Sequence, residues 1–368
     1  MVATECLDFE VKRGDLRTVR LRTSTLECPL GAVLCRIERF ALTANNITYG
    51  VFGEAMQYWN FFPGPEGWGR IPVWGHAEVV ESRHEAIAKG ERLYGYLPMS
   101  THVVLQPDRV TDASFMDGVA HRRPLPSPYQ LYMRLAHDPL HDPAHEDHRA
   151  LLHPLFFTSF LIEDFLSDNQ LFGAKQVVLA SASSKTALGV AFLLKQHGTR
   201  AVGLTSPGNK AFCEQLGHGG GHGPPYDQVV TYDALATLPA DVPTVFVDMA
   251  GDGKLLHAVH QHFRDALKYS CIVGATHWEQ RQTQHNLPGA KPQFFFAPTQ
   301  VQKRTKDWSQ AGLLARLGEA WRAFLPSAKG WVEIRTGHGP AAVEAVYREV
   351  LEGRQAPRLG HLLSLHER

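Results

Sequence analysis

The succession of short apolar runs and helical patterns between about residue 151 and residue 300 constrains the fold more than any other feature. The apolar runs lie at 177–180, 201–205, 228–230, 244–248, 271–274 and 293–296. Strands that are apolar on both faces belong to parallel sheets that helices cover on both sides. The alternation therefore predicts an α/β fold, with a doubly wound parallel sheet of the Rossmann type over residues 151–300.

Residues 1–150 follow a different pattern, in which short strands are separated by glycine and proline. Residues 33–40 show the two-residue period of a half-buried strand, and similar runs lie at 71–80, 92–96 and 102–105. Beyond residue 300 we predict helices at 308–324 and 340–351 and strands at 331–335 and 359–365. We assign residues 1–150 to a β-rich domain and expect residues 301–368 to fold back and complete it.

The charge balance excludes broad classes of partner. Lys and Arg number 37, as do Asp and Glu, so the formal net charge is zero and gives no electrostatic footprint for nucleic acid or an anionic membrane. No apolar run approaches the roughly 18 residues of a membrane span, and the first ten residues lack the pattern of a signal peptide. We expect a cytoplasmic protein whose partner is a small molecule.

The segment at 181–187 lies where a strand turns into a helix, and in this fold type such a turn binds a diphosphate at the helix N-terminus. The glycines that usually let the backbone approach the phosphates are replaced by Ser181, Ser184 and Ala187. The alternative is a structural turn with serine helix caps. The candidate cofactor-binding residues here are Ser181, Ala182, Ser183, Ser184, Lys185 and Thr186.

The end of the second predicted strand indicates which dinucleotide fits. No carboxylate follows this strand until Glu214, although NAD-binding folds place an acid there for the ribose 2′-hydroxyl. Ser206, Asn209 and Lys210 instead offer donors that suit a 2′-phosphate. We therefore predict NADP(H) rather than NAD; the alternative is that Asn209 and Lys210 simply open a solvent-exposed helix.

The order and spacing of several segments resemble the medium-chain dehydrogenase/reductase superfamily, in its zinc-independent, quinone-reductase-like branch. The matching segments are 31–37, 41–46, 74–82, 90–95, 177–195, 247–251 and 272–274. The resemblance implies a GroES-like β-rich catalytic domain, a Rossmann cofactor domain and a substrate site in the cleft between them. The loss of the turn glycines is typical of a divergent family of uncharacterised function.

The resemblance also implies roles for individual residues. Tyr49 is similar to the tyrosine that certain enoyl reductases of this branch place beside the nicotinamide, so we expect it to donate a proton, with Asn46 as the orienting amide. Val273 and Gly274 resemble a strand end that lines the nicotinamide pocket, and Thr158 lies at the junction into the cofactor domain.

Aromatic side chains near residue 60 are the candidate substrate pocket. Flat rings stack on an aromatic or quinone-like substrate, and Tyr58, Trp59 and Phe62 are the residues that we assign to it. The alternative is a hydrophobic patch that closes the domain or contacts another subunit.

The ligands of a catalytic zinc are not evident. Thr43 lies near the position where the zinc-dependent branch has a cysteine, and His76 and Glu78 are separated by Ala77. Zinc needs three or four correctly placed ligands, so we predict no metal and interpret His76 as a hydrogen-bonded strand residue. Four histidines between 137 and 148 have helical spacing, but Pro139 and Pro143 interrupt the helix and favour a solvated insertion.

Together these observations predict an NADP(H)-dependent oxidoreductase that transfers hydride to or from an enone, quinone or ketone without zinc. Two alternatives stay open: a non-redox lyase or isomerase on the same scaffold, and an inactive nucleotide-binding sensor. The run at 293–296 is a candidate edge strand through which two chains could form a homodimer.

Overall fold

The computed structural model describes residues 3–217, 223–274 and 287–367. The chain divides into two compact units: residues up to Leu151 together with those from Glu333 onward, and Leu152–Val332. The chain passes between the units twice: the boundary after Leu151 falls inside one long helix, and the boundary after Val332 falls just before a strand.

The first unit is built from β-strands. In chain order these are β1 (Thr4–Lys12), β2 (Asp15–Leu26), β3 (Val33–Leu42), β4 (Trp68–Gly69), β5 (Pro72–Ser82), β6 (Arg92–Pro98), β7 (His102–Leu105), β8 (Pro107–Asp108), β9 (Ser114–Asp117) and β10 (Leu131–Arg134). Helix α1 (Ala44–Val51) follows β3, and α2 (Glu146–Asp168) leads into the second unit. Strand β1 pairs with β2 and β4 in a small sheet of its own.

The second unit alternates strands and helices, as its sequence predicts. Its elements after α2 are β11 (Gln176–Leu179), α3 (Lys185–Gln196), β12 (Arg200–Thr205), α4 (Pro207–Gln215), β13 (Gln228–Thr231), β14 (Thr244–Asp248), α5 (Gly253–Phe263), β15 (Leu267–Ile272), β16 (Pro292–Phe294) and α6 (Ala297–Lys329). The strands pair in the order β13-β12-β11-β14-β15-β16, and all these pairs are parallel. The predicted α/β class and the doubly wound sheet are confirmed.

The C-terminal segment belongs to the first unit. It consists of β17 (Glu333–His338), α7 (Gly339–Leu351) and β18 (Leu359–Ser364). Strand β18 pairs antiparallel with β3 and extends the larger sheet, whose order is β17-β18-β3-β5-β6-β10-β9-β8. The Tyr347 hydroxyl of α7 donates to the Leu16 carbonyl over 2.8 Å.

Helix α6 lies in the second unit, which differs from the prediction that all residues from 301 onward complete the first. Phe324 of α6 stacks on Phe156 of α2 with ring centroids 4.5 Å apart. Buried Arg304 of α6 pairs with Asp164 and Asp168 of α2 at 2.7 and 2.9 Å. An amphipathic pattern shows which face of a helix is buried but not what buries it, which explains the difference.

One helical segment, Pro143–Asp168, is long and apolar enough to cross a membrane by those two measures alone. Two thirds of its most apolar window is buried inside the protein. That burial is typical of a core helix, so the segment gives only weak evidence of a membrane span. The segment is nevertheless more apolar than the prediction from the apolar runs of the sequence.

Candidate functional site

The strand order of the second unit reverses direction at β11. The chain moves from β11 outward to β12 and β13 and then crosses to β14 on the other side of β11. Ligands of doubly wound sheets bind at the carboxyl ends of the strands where the order reverses in this way. The predicted phosphate-binding turn follows β11 at this position.

The turn after β11 adopts a backbone conformation that usually requires glycine. Ser181 has a φ of +50°, in the left-handed region that costs an L-residue about 1–2 kcal/mol. The Tyr232 phenol interacts with the side chain and main chain of Ser181. Position 181 therefore has the backbone conformation expected of a glycine, although its residue is serine.

Two contacts fix the position of Ala182 in this turn. Its amide donates to the Leu204 carbonyl of β12 at 2.9 Å, and its carbonyl accepts from the buried Tyr226 hydroxyl at 2.7 Å. A Cβ atom on Gly203 would come within 2.8 Å of the Ala182 Cβ atom. Gly203 on the neighbouring strand β12 is therefore the glycine that lets the turn pack closely against the sheet.

Helix α3 begins directly after the turn. The Ser184 side chain caps it by accepting from the Ala187 amide at 3.2 Å. Burial lowers the pKa of the Lys185 ammonium to about 8. Ser159 of α2 donates to the Thr186 carbonyl at 2.8 Å, whereas the neighbouring Thr158 hydroxyl donates to Pro154 within α2.

The three residues predicted to select a 2′-phosphate lie at the start of α4. Ser206 is the N-cap residue, and the Asn209 amide donates to the Ser183 hydroxyl at 3.0 Å. Lys210 forms an ion pair with Glu214 one turn later. The structure thus brings the turn after β11 and the start of α4 together.

Strands β14 and β15 end beside each other. The Val273 amide donates to the Asp248 carbonyl at 2.8 Å, and a Cβ atom on Gly274 would lie 2.0 Å from the Met249 carbonyl oxygen. Buried Asp248 accepts from the amides of Ala250 and Gly251 at 3.0 and 2.9 Å. The close approach requires glycine at position 274.

In the first unit, Tyr49 lies on α1 and its hydroxyl is bound by a neighbouring amide. The donor is Asn45, at 2.8 Å, rather than the predicted Asn46. Asn46 is buried and accepts from the Thr43 amide at 2.8 Å while donating to the Pro72 carbonyl at 2.9 Å. Asn46 therefore caps α1, and burial raises the pKa of Tyr49 so that its phenol stays protonated.

The three predicted pocket residues are all buried, but their surroundings differ. Tyr58 packs on Tyr49 with ring centroids 4.6 Å apart. Trp59 lies between Gly53 and Gly69, where added Cβ atoms would come within 2.1 and 2.4 Å of its ring. The Arg122 guanidinium lies over the Phe62 ring at 4.3 Å. Only Tyr58 adjoins the candidate proton donor, and Trp59 has the packing of a residue that closes the domain.

His76 lies on β5 and is fully buried beside Tyr94. Neither ring nitrogen has a hydrogen-bond partner among the described residues, so the interpretation of His76 as a hydrogen-bonded strand residue is wrong. Burial lowers its pKa to about 3. Within the described ranges no group of three or more His, Cys, Asp or Glu side chains is placed to hold a metal.

The histidine-rich segment pairs with its own acidic residues. His141 lies 2.7 Å from Glu146, and His145 lies 2.7 Å from Asp142. Glu146 also binds Arg39 and Arg92. Burial raises the pKa of its carboxyl, but the hydrogen bonds from Arg92 and His141 outweigh burial and hold this pKa well below the ordinary range. The segment is tied to the first unit by ion pairs.

With this geometry established, comparison with known proteins identifies the family. The model of a family described as "Protein of unknown function (DUF2855)" matches residues 40–356. The chain belongs to the DUF2855 family. The comparison with curated proteins gave no match.

Solved structures similar to this DUF2855 protein are medium-chain reductases. CurA from Vibrio vulnificus, crystallised with NADPH, covers 100% of both chains at 14% identity with a TM-score of 0.65. A mutant enoyl thioester reductase from Candida tropicalis covers 99% of this chain and 100% of its own at 10% identity and a TM-score of 0.58. The quinone oxidoreductase from Coxiella burnetii covers 98% of this chain and 99% of its own, at 14% identity and a TM-score of 0.53. The predicted medium-chain dehydrogenase/reductase fold is confirmed.

Proposed function

We propose that this DUF2855 protein is an NADP(H)-dependent oxidoreductase that reduces or oxidises a small carbonyl-activated compound. The observation that carries the proposal is the donor set at the carboxyl end of β11. The turn offers hydroxyls from Ser181, Ser183 and Ser184 and the Lys185 ammonium at the start of a 12-residue helix. Hydroxyls, an ammonium and a helix N-terminus fit a diphosphate.

The choice of NADP(H) rests on the start of α4. Asn209 already contacts Ser183 of the turn, and Lys210 lies one residue further along the same helix. Hydroxyl, amide and ammonium donors at this position favour the phosphorylated ribose, whose phosphate would compete with Glu214 for Lys210. CurA, one of the similar structures, was crystallised with NADPH, which supports this assignment.

Bound NADP(H) would supply or accept the hydride, and the protein's own part is to hold and move a proton. Tyr49 is the proposed donor: burial raises the pKa of its phenol, and the hydrogen bond from Asn45 acts in the opposite direction. Asn45 donates to the phenol oxygen, so it stabilises the phenolate that forms when the proton leaves. No step is assigned to a metal; a zinc-free reaction stays a prediction.

Coenzyme binding tests the proposal directly. NADPH and NADH are titrated against the wild-type protein, with tryptophan fluorescence and thermal shift as readouts. We expect NADPH to bind more tightly, and Lys210→Ala to weaken NADPH binding about tenfold while leaving NADH almost unchanged, as expected for loss of one charge-assisted contact. Lys291→Ala, at an exposed lysine of the same unit, is the matched control.

Three outcomes separate the alternatives. No response to millimolar NADPH refutes the proposal. Tight NADPH binding without NADPH oxidation across enones, quinones and ketones indicates the nucleotide-binding sensor instead. Turnover of such compounds without net hydride transfer indicates the lyase or isomerase.

We also propose a homodimer formed through β16. This strand ends the order of the parallel sheet in the described part of the chain, and its Phe294 is 41% exposed. An exposed apolar edge strand is a template for pairing with a second copy. Light scattering after gel filtration should give twice the monomer mass, and Phe294→Glu should reduce it to that of one chain; a monomeric wild type refutes this.

A further inference from the structure

The first unit contains a cavity that the proposed function does not use. Its volume is about 330 Å³, near the lower limit for pockets that hold small molecules. Its lining residues come from β3, β6, β17 and β18, and all of them belong to the first unit. We name it the arginine cavity, because three of its lining side chains are guanidiniums. The lining residues that decide its chemistry are Arg36, Glu38, Arg39, Arg92, Leu362 and Ser364.

An irregularity of β3 brings two of these arginines into the same cavity. In a regular strand, side chains alternate between the two faces, which would place residues 36 and 39 on opposite faces. The register of β3 against β5 shifts between Ile37 and Arg39, which leaves Glu38 as the extra residue of a β-bulge. A bulge interrupts the alternation and can redirect a side chain. Arg36 and Arg39 therefore both line the arginine cavity.

These two guanidiniums have more donors than their described partners accept. Each guanidinium carries five N–H donors. Among the described residues Arg36 donates only through Nη2, to Glu78 at 2.9 Å. Arg39 Nη2 donates to Glu146 at 2.8 Å, and Arg39 Nη1 lies 2.9 Å from Asp147. The buried Nε of Arg39 has no hydrogen-bond partner in the described part of the chain. The cavity wall therefore has N–H groups left for an acceptor.

Arg92 compensates the acid that lines the cavity. It donates to the Glu38 carboxylate through Nε and Nη2 at 3.1 and 2.7 Å, and to Glu146 through Nη1 at 2.7 Å. Glu38 is the one acid among the described lining residues. The other carboxylates that bind these arginines are Glu78, Glu146 and Asp147, and they do not line the cavity. A ligand in the cavity therefore meets more guanidinium than carboxylate.

Strand β18 supplies a hydroxyl and an apolar surface. Ser364 is 3% exposed, and its Oγ accepts from the His366 amide at 3.2 Å. The hydroxyl proton of Ser364 has no acceptor among the described residues, so it is available to a ligand. Buried Leu362 and Leu363 line the same cavity. The arginine cavity thus combines charged donors, one neutral donor and a short apolar wall.

From these contacts we infer that the arginine cavity binds a small organic acid, whose carboxylate or phosphate oxygens accept from Arg36, Arg39 and Ser364. Hydrogen bonds from a guanidinium to such an oxyanion are short and strong, and the planar guanidinium can bind two oxygens at once. An uncharged ligand would gain less from these donors. The inference goes beyond the proposed function, because none of these residues is assigned to the coenzyme, to proton transfer or to the aromatic pocket.

Isothermal titration calorimetry with succinate and with inorganic phosphate, at constant ionic strength, tests the inference. The wild type should bind at least one of them at millimolar concentration, and the one that binds identifies the acid group. Arg36→Gln should weaken this binding about tenfold, the effect of one lost charge-assisted hydrogen bond. Arg348→Gln is the matched control and should bind as the wild type does, because Arg348 is a similarly exposed arginine of the same unit that pairs with Glu344.

Two further variants separate ligand binding from damage to the fold. Glu38→Gln removes the negative charge that lines the cavity, so we expect it to bind the anion about threefold more tightly. Damage to the fold would instead weaken binding. Ser364→Ala should weaken binding about fivefold, the effect of one lost neutral hydrogen bond. Opposite effects of Glu38→Gln and Arg36→Gln are a combination that purely structural residues would not produce.

Several outcomes would overturn the inference. They are a wild type that binds neither anion at millimolar concentration, equal affinities of wild type and Arg36→Gln, weaker binding by Glu38→Gln, and binding of uncharged succinamide as tight as that of succinate. Phosphate could also occupy the proposed coenzyme site, and Lys210→Ala distinguishes the two sites. Phosphate binding that Lys210→Ala loses and Arg36→Gln keeps belongs to the coenzyme site and counts against the arginine cavity.

Discussion

Acid should destabilise the protein through His76, a fully buried histidine on β5. Burial lowers its pKa to about 3, against 6.5 for an exposed histidine. Between these values the unfolded chain binds a proton that the folded protein does not, so stability rises with pH across this window and is lost as pH falls. Each pH unit below 6.5 costs about 1.4 kcal/mol, which gives ~2 kcal/mol at pH 5.

The charges around His76 do not reverse this sign. Glu146 raises its pKa, whereas Arg39, Arg149 and Arg92 lower it, and burial is the largest effect. Replacing the imidazole by a ring that cannot titrate should remove the dependence. His76→Phe also leaves an aromatic ring beside Tyr94, where the histidine ring centroid lies at 5.3 Å.

The assay is urea unfolding of wild type and His76→Phe at pH 8 and pH 5. The free energy of unfolding of the wild type should fall by about 2 kcal/mol more than that of the variant. His257→Phe, the same substitution at an exposed histidine, should behave as the wild type does. Equal losses in wild type and His76→Phe between pH 8 and pH 5 would refute the reasoning.

Three further predictions concern the second unit. NADPH affinity should fall about tenfold between pH 7 and pH 9.5 as Lys185, whose pKa burial lowers to about 8, loses its charge; titration of Lys185→Met should show no such fall. Gly189→Ala should lower the free energy of unfolding by about 1–3 kcal/mol, because the added Cβ atom would lie 2.5 Å from the Ser159 hydroxyl; an unchanged urea midpoint contradicts this. Tyr226→Phe should lower the free energy of unfolding by about 1 kcal/mol in the same assay and weaken NADPH binding, since the Tyr226 hydroxyl donates to the Ala182 carbonyl at 2.7 Å. Unaltered NADPH binding would show that this contact does not position the turn.

The succession of elements in the second unit could be predicted from the sequence because a strand buried on both faces has a distinct composition. The helix cap at Ser184 is equally local and could be inferred from its position before α3. The backbone at Ser181 could not, because a left-handed conformation is expected at glycine and not at serine.

The site in the first unit was harder to predict. Asn45 and Asn46 are adjacent on a helix and point about 100° apart, so the spacing alone does not show which one faces Tyr49. The aromatic rings packed around Tyr49 come from the segment 58–60, from β6 and from the segment before β10, and contacts across such distances leave no periodic signal. The partner of α6 was missed for the same reason, since a helix pattern does not name the surface against which it packs.

The hydrogen bond of 3.0 Å between Asn209 and Ser183 means that these two groups satisfy each other before any coenzyme arrives. A coenzyme that reaches this position must exchange an existing internal bond for a new one. A ribose 2′-phosphate would form a charge-assisted hydrogen bond that is stronger than the one lost, whereas a 2′-hydroxyl would form only a neutral one. If NADP(H) binds at the proposed site, breaking this internal bond would add a free-energy cost that both coenzymes have to overcome. Asn209→Ala should then improve the binding of NADH relative to that of NADPH.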